Sequence, residues 1–289
     1  MSVSGDPFVT HRGLLFTVAY EMLGSAVDAE DVVQETWLRW ADVDQAEVRD
    51  PRAYLVRMVT RQALNRLRTV SRQREDYVGQ WLPEPLLTGP DVADDAELAE
   101  NVSIAMLTVL ETLGPAERAV FVLHEVFEIS YDEIAEVVGK TPAAVRQIAH
   151  RARQHVAARR PRMQVDRAEQ EATLQKFMAA VTSGDVQGLA EVLAPDVVLI
   201  ADGGGLVPAA RKPLIGAERV LAFLARVADL SDLIATTAWL NGMPGARFNV
   251  AGDDTAVSLV IENDLITRIY AIRNPNKLGG LEEVAELRR

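Results

Sequence analysis

Two stretches of this chain carry side chains able to bond nucleic-acid bases, and both are basic within an acidic protein. Between Lys140 and Arg162 stand seven Lys or Arg and no Asp or Glu. On a helical period Arg146, Gln147, His150, Arg151, Arg153 and Gln154 share one face, with the donors and acceptors that major-groove reading uses. Between Arg49 and Arg74 stand eight arginines, with Asp50 the one acid. A helix this basic, beside Tyr54 and Asn65, suits unstacked bases of a single strand. A third group has the opposite sign. Asp28, Glu30, Asp31, Gln34 and Glu35 crowd the first turns of a helix, beyond what its dipole asks for, and predict a docking face for a basic partner.

Catalytic chemistry is poorly provided for. There is no cysteine, so disulfides and thiolate metal sites are excluded. All four histidines, His11, His124, His150 and His155, precede residue 164. In the last third Asp202 and Asp253 are candidate bases and Tyr270 a candidate donor, but no carboxylate pair has a telling spacing. Asp202, followed by three glycines, reads most simply as a turn. No catalytic residue, metal site or cofactor is expected. Phe223, Trp239, Phe248 and Leu259 are candidates to line a pocket for a small apolar ligand.

The elements that position these groups are legible from period and punctuation. Phe8–Leu23 predicts a helix closed by Gly24, and the next runs to about Ala41 with Asp28 as cap and Val32, Val33, Thr36, Trp37 and Trp40 inward. Pro51 opens a third helix whose core is Leu55, Val59, Ala63 and Leu67. A helix from Tyr131, a turn at Gly139, and a second helix capped by Thr141 with Pro142 at its first position predict a helix-turn-helix. Val145, Ile148, Ala149, Ala152 and Val156 form its buried stripe.

The 289 residues carry a net charge of −12 with 48% hydrophobic residues, enough for two or three domains. An anionic chain binds DNA weakly alone, since phosphate contacts supply most non-specific affinity. The balance suits a protein that another machine carries to DNA. No apolar run reaches a membrane span, and His11 and Arg12 interrupt any signal-peptide core, so a cytoplasmic protein without membrane contact is expected.

The run from Asp28 to Trp40, DAEDVVQETWLRW, closely resembles region 2 of extracytoplasmic-function sigma factors of the sigma-70 family. The Pro51–Arg68 helix is similar to the part of that region that melts the −10 element. Leu113–Arg118, then Val120–Leu123 and the helix-turn-helix, resemble region 4, which reads the −35 element. The resemblance implies that Asp31, Gln34 and Glu35 meet the β′ clamp of core RNA polymerase, with the β flap as a further contact. It implies that Arg57, Arg61, Asn65 and Arg68 serve the −10 strand, Arg61 replacing a frequent Asn. Arg146, Gln147, His150, Arg151 and Arg153 would face the −35 groove.

The linker holds Trp81-Leu-Pro-Glu-Pro85, whose prolines force an extended path. It reads either as a turn anchored locally by Trp81 or as a tether docking on something further along. After residue 163 come helices over 168–182, 186–193 and 216–230, a strand over 197–201, and β-type runs at 234–240, 246–250 with 255–261, and 265–272. Helices followed by an antiparallel meander describe an α+β cone. This order resembles the SnoaL-like, or NTF2-like, fold. Asp202-Gly203-Gly204-Gly205-Leu206, Asn274-Pro275-Asn276-Lys277-Leu278 and Trp81-Leu82-Pro83-Glu84-Pro85 resemble three signatures of the sigma subgroup with a fused SnoaL-like domain. The glycine signature usually ends in Lys; here Leu206 stands there, with Arg211 and Lys212 nearby.

The expected organisation is region 2 over 1–78, a linker over 79–103, region 4 over 104–163 and the SnoaL-like domain over 164–289. The two sigma regions are expected to be all-α. The resemblance implies regulation in cis, with contacts among Trp81, Pro83, Glu84, Pro85, Asp202, Gly203, Gly204, Gly205, Asn274, Pro275 and Lys277. The expected function is transcription initiation with core RNA polymerase at promoter DNA. The alternative is a one-component DNA-binding regulator with a ligand-sensing or enzymatic cone.

Overall fold

The computed structural model describes residues 5–74, 76–160, 167–228, 233–250 and 252–289. The chain forms two compact units. The first comprises the chain up to Asp76, Leu107–Arg160 and the terminal residues Glu286–Arg289; the second joins Tyr77–Met106 to the chain up to Ala285.

The first unit opens with α1 (Pro7–Leu23), capped by the Asp6 carboxylate and ended by Gly24 in the left-handed region. Helix α2 (Ala26–Ala41) is capped by Ser25, whose hydroxyl accepts from Asp28 N; Asp28 is not the cap but sits in the first turn. Thr36 and Trp40 are buried as expected, but Trp37 is 46% exposed, which corrects its assignment to the inward face. Helix α3 (Pro51–Arg74) buries Leu55, Val59, Ala63 and Leu67, and Asp50 caps it by accepting from Ala53 N.

The chain then runs extended past Trp81–Pro85 into three short helices, α4 (Pro90–Asp94), α5 (Ala96–Val102) and α6 (Ile104–Leu110). Helix α7 (Pro115–Phe121) continues as a π-turn over Val122–Val126. The helix-turn-helix is α8 (Tyr131–Val138) and α9 (Pro142–Ala157), joined through Gly139 at φ 68°. A capping box at Ser130 and Glu133 starts α8, and Thr141 caps α9. All five residues of the expected stripe on α9 are buried. Arg162, the end of the basic block, lies outside the described residues.

The second unit carries α10 (Arg167–Ser183) and α11 (Val186–Val192), then β1 (Leu193–Asp202), β2 (Leu214–Ile215), α12 (Ala217–Ala228) and β3 to β6 (Ile234–Leu240, Met243–Val250, Asp253–Glu262, Leu265–Ile272). The strands form one sheet in the order β2-β1-β6-β5-β4-β3. The expected meander holds for β3 to β6, but β1 pairs parallel with β6, so the sheet is mixed. The last two residues of the helix expected over 216–230 lie outside the described residues. One face of the sheet packs on α10 to α12 through Leu174, Phe177, Val181, Leu199, Phe248 and Ile269. The other packs Leu240, Ala256, Val260, Tyr270 and Ile272 against Leu82, Ile104 and Ala105 of the linker segment.

A charged cluster is buried in the first unit. Arg118 is 1% exposed; its Nη1 donates to Glu111 at 2.7 Å and its Nε to Glu21 O at 3.0 Å. Arg74 donates to Glu111 and, at 2.6 Å, to Leu23 O; burial lowers the Arg74 pKa. Glu21 is wholly buried and neither carboxylate oxygen meets a donor, so burial raises its pKa to about 8 against the pull of Arg118. A raised carboxyl contributes stability that is complete below its unfolded value of 4.5 and is lost as pH rises to about 8. Glu21→Gln is therefore expected to gain on the parent by roughly 1 kcal/mol per pH unit across that window, read from denaturant unfolding at pH 5, 6, 7 and 8. Parallel pH profiles for the two proteins would refute the buried neutral carboxyl.

Candidate functional site

Three surfaces hold the expected residues. On α9 Arg146, Gln147, His150, Arg151 and Arg153 are all exposed, because the stripe opposite them is sunk in the domain. Arg151 reaches Glu117 at 3.7 Å and Arg153 reaches Glu125 at 3.3 Å. Arg146 lies over the Tyr131 ring, 5.8 Å from its centroid. These exposed pairs are weak and leave the guanidinium groups available to a stronger acceptor such as phosphate.

On α3 Arg61, Asn65 and Arg68 are exposed and Arg57 is partly so, lying over the Tyr54 ring. With Met58 and Gln62, Arg57, Arg61 and Asn65 line a wide groove whose far wall is α2, through Asp31, Glu35 and Arg39; Arg68 does not line it. Arg66 bridges the two walls, bonding Asp28 at 2.5 Å and Asp31 at 3.6 Å; the Asp28 bond raises its pKa. Arg61 Nη2 also donates to Glu136 O of α8 at 3.4 Å. On α2 Asp31, Gln34 and Glu35 are exposed, and beside them so are Trp37 and Leu38. The sequence reading missed these two apolar residues as surface groups. A spacing count places Trp37 one residue off the true stripe of Val32, Val33, Thr36 and Trp40.

The third surface is buried inside the second unit. Asp202 is not a simple turn residue: its side chain is fully buried and surrounded by donors. Lys277 Nζ donates to its Oδ2 at 2.7 Å, and Leu82 N donates to the same oxygen at 2.9 Å. The Tyr77 hydroxyl donates to Oδ1 at 2.6 Å, and Gly204 N at 3.0 Å. Lys277 Nζ also donates to Leu82 O at 2.6 Å and lies 3.1 Å from the centroid of the Trp81 ring. Asn274 Nδ2 donates to Tyr77 Oη at 2.7 Å. Burial and the Asp202 bond hold the Tyr77 phenol well above its ordinary pKa. Pro83, Glu84 and Pro85 are buried as well, while Pro275 stays exposed.

This places the three signatures on one spot. Gly204 stands at φ 62°, where a Cβ would lie 2.4 Å from Asn274 Nδ2, and a Cβ on Gly203 would meet Val207 O at 2.5 Å. Gly205, at φ 72°, passes under Val78. Leu206, Arg211 and Lys212 are exposed; the ammonium that meets Asp202 is Lys277. Of the two readings of Trp81-Leu82, the docked tether is the one observed, since Leu82 packs with Leu240, Tyr270 and Ile272. Sequence reasoning missed Tyr77 and Asn241. Asn241 Oδ1 accepts from Leu86 N and its Nδ2 donates to Val102 O, both at 2.9 Å, which pins both ends of the linker segment to the β3–β4 turn. Its appearance in a turn dipeptide with Gly242 concealed this role.

The remaining candidates separate. Asp253 is half exposed and pairs with Arg273 at 3.5 Å, while Tyr270 is buried in the apolar layer under the linker, where burial raises its pKa. A cavity in the cone includes Phe223 and Phe248, but Leu259 and Trp239 do not line it; Trp239 stacks under Arg167 instead. Among the described residues no group of acids and histidines could hold a metal ion, and no helix is long and apolar enough to cross a membrane.

Residues 8–73 match the family described as Sigma-70 region 2, and residues 103–156 match Sigma-70, region 4. The helical modules are thus those of a sigma-70-type transcription initiation factor. The ECF RNA polymerase sigma factor SigJ of Mycobacterium tuberculosis (strain ATCC 25618 / H37Rv) is 36% identical over 293 residues, covering 94% of this chain and 92% of its own. The probable ECF RNA polymerase sigma factor SigI of the same species (strain CDC 1551 / Oshkosh) is 32% identical over 277 residues, covering 94% and 93%. The crystal structure of the Mycobacterium tuberculosis extracytoplasmic function sigma factor SigJ matches with a TM-score of 0.76 and 33% identity, over 96% of this chain and 99% of that one. The chain belongs to the ECF RNA polymerase sigma factors, and its second unit carries the SnoaL-like α+β domain.

Breaking one partner of a buried ion pair leaves the other charge stranded, at about 3–5 kcal/mol. Asp202→Asn is therefore expected to release the linker, raising amide exchange over residues 77–88 at least tenfold while α9 is unaffected. The double variant Asp202→Asn, Lys277→Met removes the stranded charge and is expected to recover part of the loss. Unchanged exchange in Asp202→Asn would show that the pair does not hold the linker.

Proposed function

We propose that this protein binds core RNA polymerase in the cytoplasm, directs it to particular promoters, and is regulated in cis by its SnoaL-like domain. The observation that carries the reading is the pair of exposed basic helix faces, on α3 and α9, in a chain whose net charge is −12. Such a chain has affinity for DNA at two local faces and repulsion elsewhere. Polymerase then supplies the residence on DNA that free protein lacks.

In this reading residues 1–78 bind polymerase and the −10 element, 79–103 link, 104–163 read the −35 element and 164–289 regulate. Arg146, Gln147, His150, Arg151 and Arg153 contact the −35 groove and its phosphates. Arg57, Arg61 and Asn65 hold the melted −10 strand in the α2–α3 groove, and Arg68, further along α3, meets the same strand. Asp31, Gln34 and Glu35 meet the β′ clamp, with exposed Trp37 and Leu38 giving that contact an apolar anchor. Region 4 meets the β flap. The SnoaL-like domain acts through Asp202, Asn274 and Lys277, which fix the path of the linker between the two DNA-reading regions. Its cavity is the place for a small-molecule ligand.

A one-component repressor needs only the helix-turn-helix, and would leave the charged faces of α2 and α3 idle. Of the candidate catalytic groups, Asp202 is saturated by four donors, Tyr270 is sealed in the core and Asp253 pairs with Arg273, which disfavours an enzymatic cone.

The test is transcription in vitro with core RNA polymerase on a promoter selected by the full chain. The full chain is expected to initiate, and Arg146→Ala with Arg151→Ala to lower initiation at least tenfold, at roughly 1–3 kcal/mol per lost base contact. Arg61→Ala with Asn65→Ala should reduce permanganate reactivity of the −10 strand, and Asp31→Ala with Glu35→Ala should weaken binding to core. Asp202→Asn should change the initiation rate with all these contacts intact. Initiation no better than core alone would refute the sigma reading, and an Asp202→Asn rate equal to the parent would refute cis regulation.

A further inference from the structure

The cone contains a small apolar cavity whose polar equipment is incomplete. Its volume is about 60 Å³. The helices contribute Phe177, Val181, Phe223 and Val227 to its walls, and the floor is Ala201 and Ala271, paired across β1 and β6. Small side chains on adjacent strands are what leave the space open.

Two polar atoms face this greasy chamber without a partner, Thr255 Oγ1 and Arg273 Nε, both buried. They are neighbours. The β5–β6 register pairs Ala256 with Ile272, so Thr255 stands opposite Arg273, and Thr255 in turn pairs with Phe248 on β4. The rest of the guanidinium is anchored on the other side: Nη1 donates to Pro208 O at 2.6 Å and Nη2 lies 3.5 Å from the half-exposed Asp253 carboxylate. These contacts hold the guanidinium on that side, while its Nε–H is buried without a partner on the residue opposite Thr255.

A buried donor left unsatisfied is costly, and a cavity of this kind is completed by an occupant. Water is a poor one. About 10–15 Å³ holds one water, and each needs two to four polar partners, whereas this chamber offers two for room enough for several. A molecule with one acceptor head and a compact hydrocarbon body satisfies both donors and fills the walls. Two oxygens on one carbon accept from Nε–H and from Oγ1–H together, and the guanidinium favours a negative head.

We infer that the cone cavity is a binding site for a short aliphatic carboxylate, with Arg273 and Thr255 holding its carboxylate. The class includes butyrate and isovalerate. The site is wired to the linker. Arg273 N and Asn274 N donate to Asp202 O at 2.7 and 2.9 Å, so the residue that holds the ligand adjoins the one that bonds Tyr77. Ala201 on the floor is followed directly by Asp202 on the opposite face of the sheet. The ligand is thus a candidate effector of the linker contact, and this second step rests on the cis-regulatory reading.

The experiment titrates the full chain with isovalerate, watched by ligand-observed NMR and calorimetry, with 3-methylbutan-1-ol as the uncharged probe of similar body. Saturable binding of isovalerate is expected, at least tenfold tighter than the alcohol. Thr255→Val should weaken it several-fold and Ala201→Leu, which fills the floor, should abolish it, each variant being checked for a parental melting profile. Absence of saturable binding overturns the proposal, as does an alcohol that binds equally well or binding that survives Ala201→Leu. Hydrogen exchange over residues 77–88 with and without isovalerate reads the coupling. A change there supports it; binding with no change overturns the coupling alone. Initiation that ignores Asp202→Asn, with binding intact, would instead mark failure of the cis-regulatory reading.

Discussion

A carboxylate and an ammonium sealed from water, Asp202 and Lys277, fix how the second unit is built. Each charge costs several kcal/mol to bury, and their attraction repays this only when the remaining lone pairs and protons are also matched. Here they are matched by the chain's own backbone: Leu82 N and Leu82 O bracket the pair, Gly204 N completes the aspartate, and the Trp81 ring takes the far side of the ammonium. The linker is thus part of the charge pair's solvation shell. Lifting it away would expose both charges to a partial, unfavourable environment, so one extended conformation of residues 77–88 is selected over the many that prolines alone would allow. The glycines follow from the same demand, because a side chain at Gly204 would displace Asn274 from Tyr77.

The first unit handles charge differently. Its interior ions, Arg74, Glu111, Arg118 and the neutral Glu21, are clustered where α1, α3 and α7 meet. Its surface ions are sorted by sign, acids on α2 and bases on α3 and α9. The sorted surface makes the protein legible to two kinds of partner at once, a basic one and a polyanionic one. Surface pairs such as Arg151–Glu117 are exposed and weak, so they hold these arginines only loosely.

The helical part of the fold was readable from sequence because its signals are local. Caps, turn glycine and a 3.6 period lie within a few residues of one another, and Gly139, Thr141 and the stripe from Val145 to Val156 behave as those signals dictate. Trp37 escaped because an aromatic residue at the margin of a stripe looks apolar enough to bury. In the cone the sheet is covered on both faces, so β1 and β5 read as continuous apolar runs and give no clue to orientation. Nothing local distinguishes the parallel β1–β6 pairing from a hairpin, nor shows that the pocket-facing row is Phe248, Thr255 and Arg273. Asp202 misled for the same reason: three of its four side-chain partners lie 75 to 125 residues away in sequence.

The packing of α3 against α7 and α8 sets a limit on what the isolated protein can reach. Promoter positions −10 and −35 are 25 base pairs apart, about 85 Å along B-DNA at 3.4 Å per pair. A single compact body of this size measures less than half that, on the order of 35–40 Å. On the proposed reading, in which α3 and α9 each serve one element, the two helices part before both elements are engaged, at a cost set against the binding that drives it. The helix junction at Glu111 and Arg118 then acts as a threshold. On that reading, a tenfold more closed population demands a tenfold higher polymerase concentration for the same occupancy, so an interior contact would tune the competition for core.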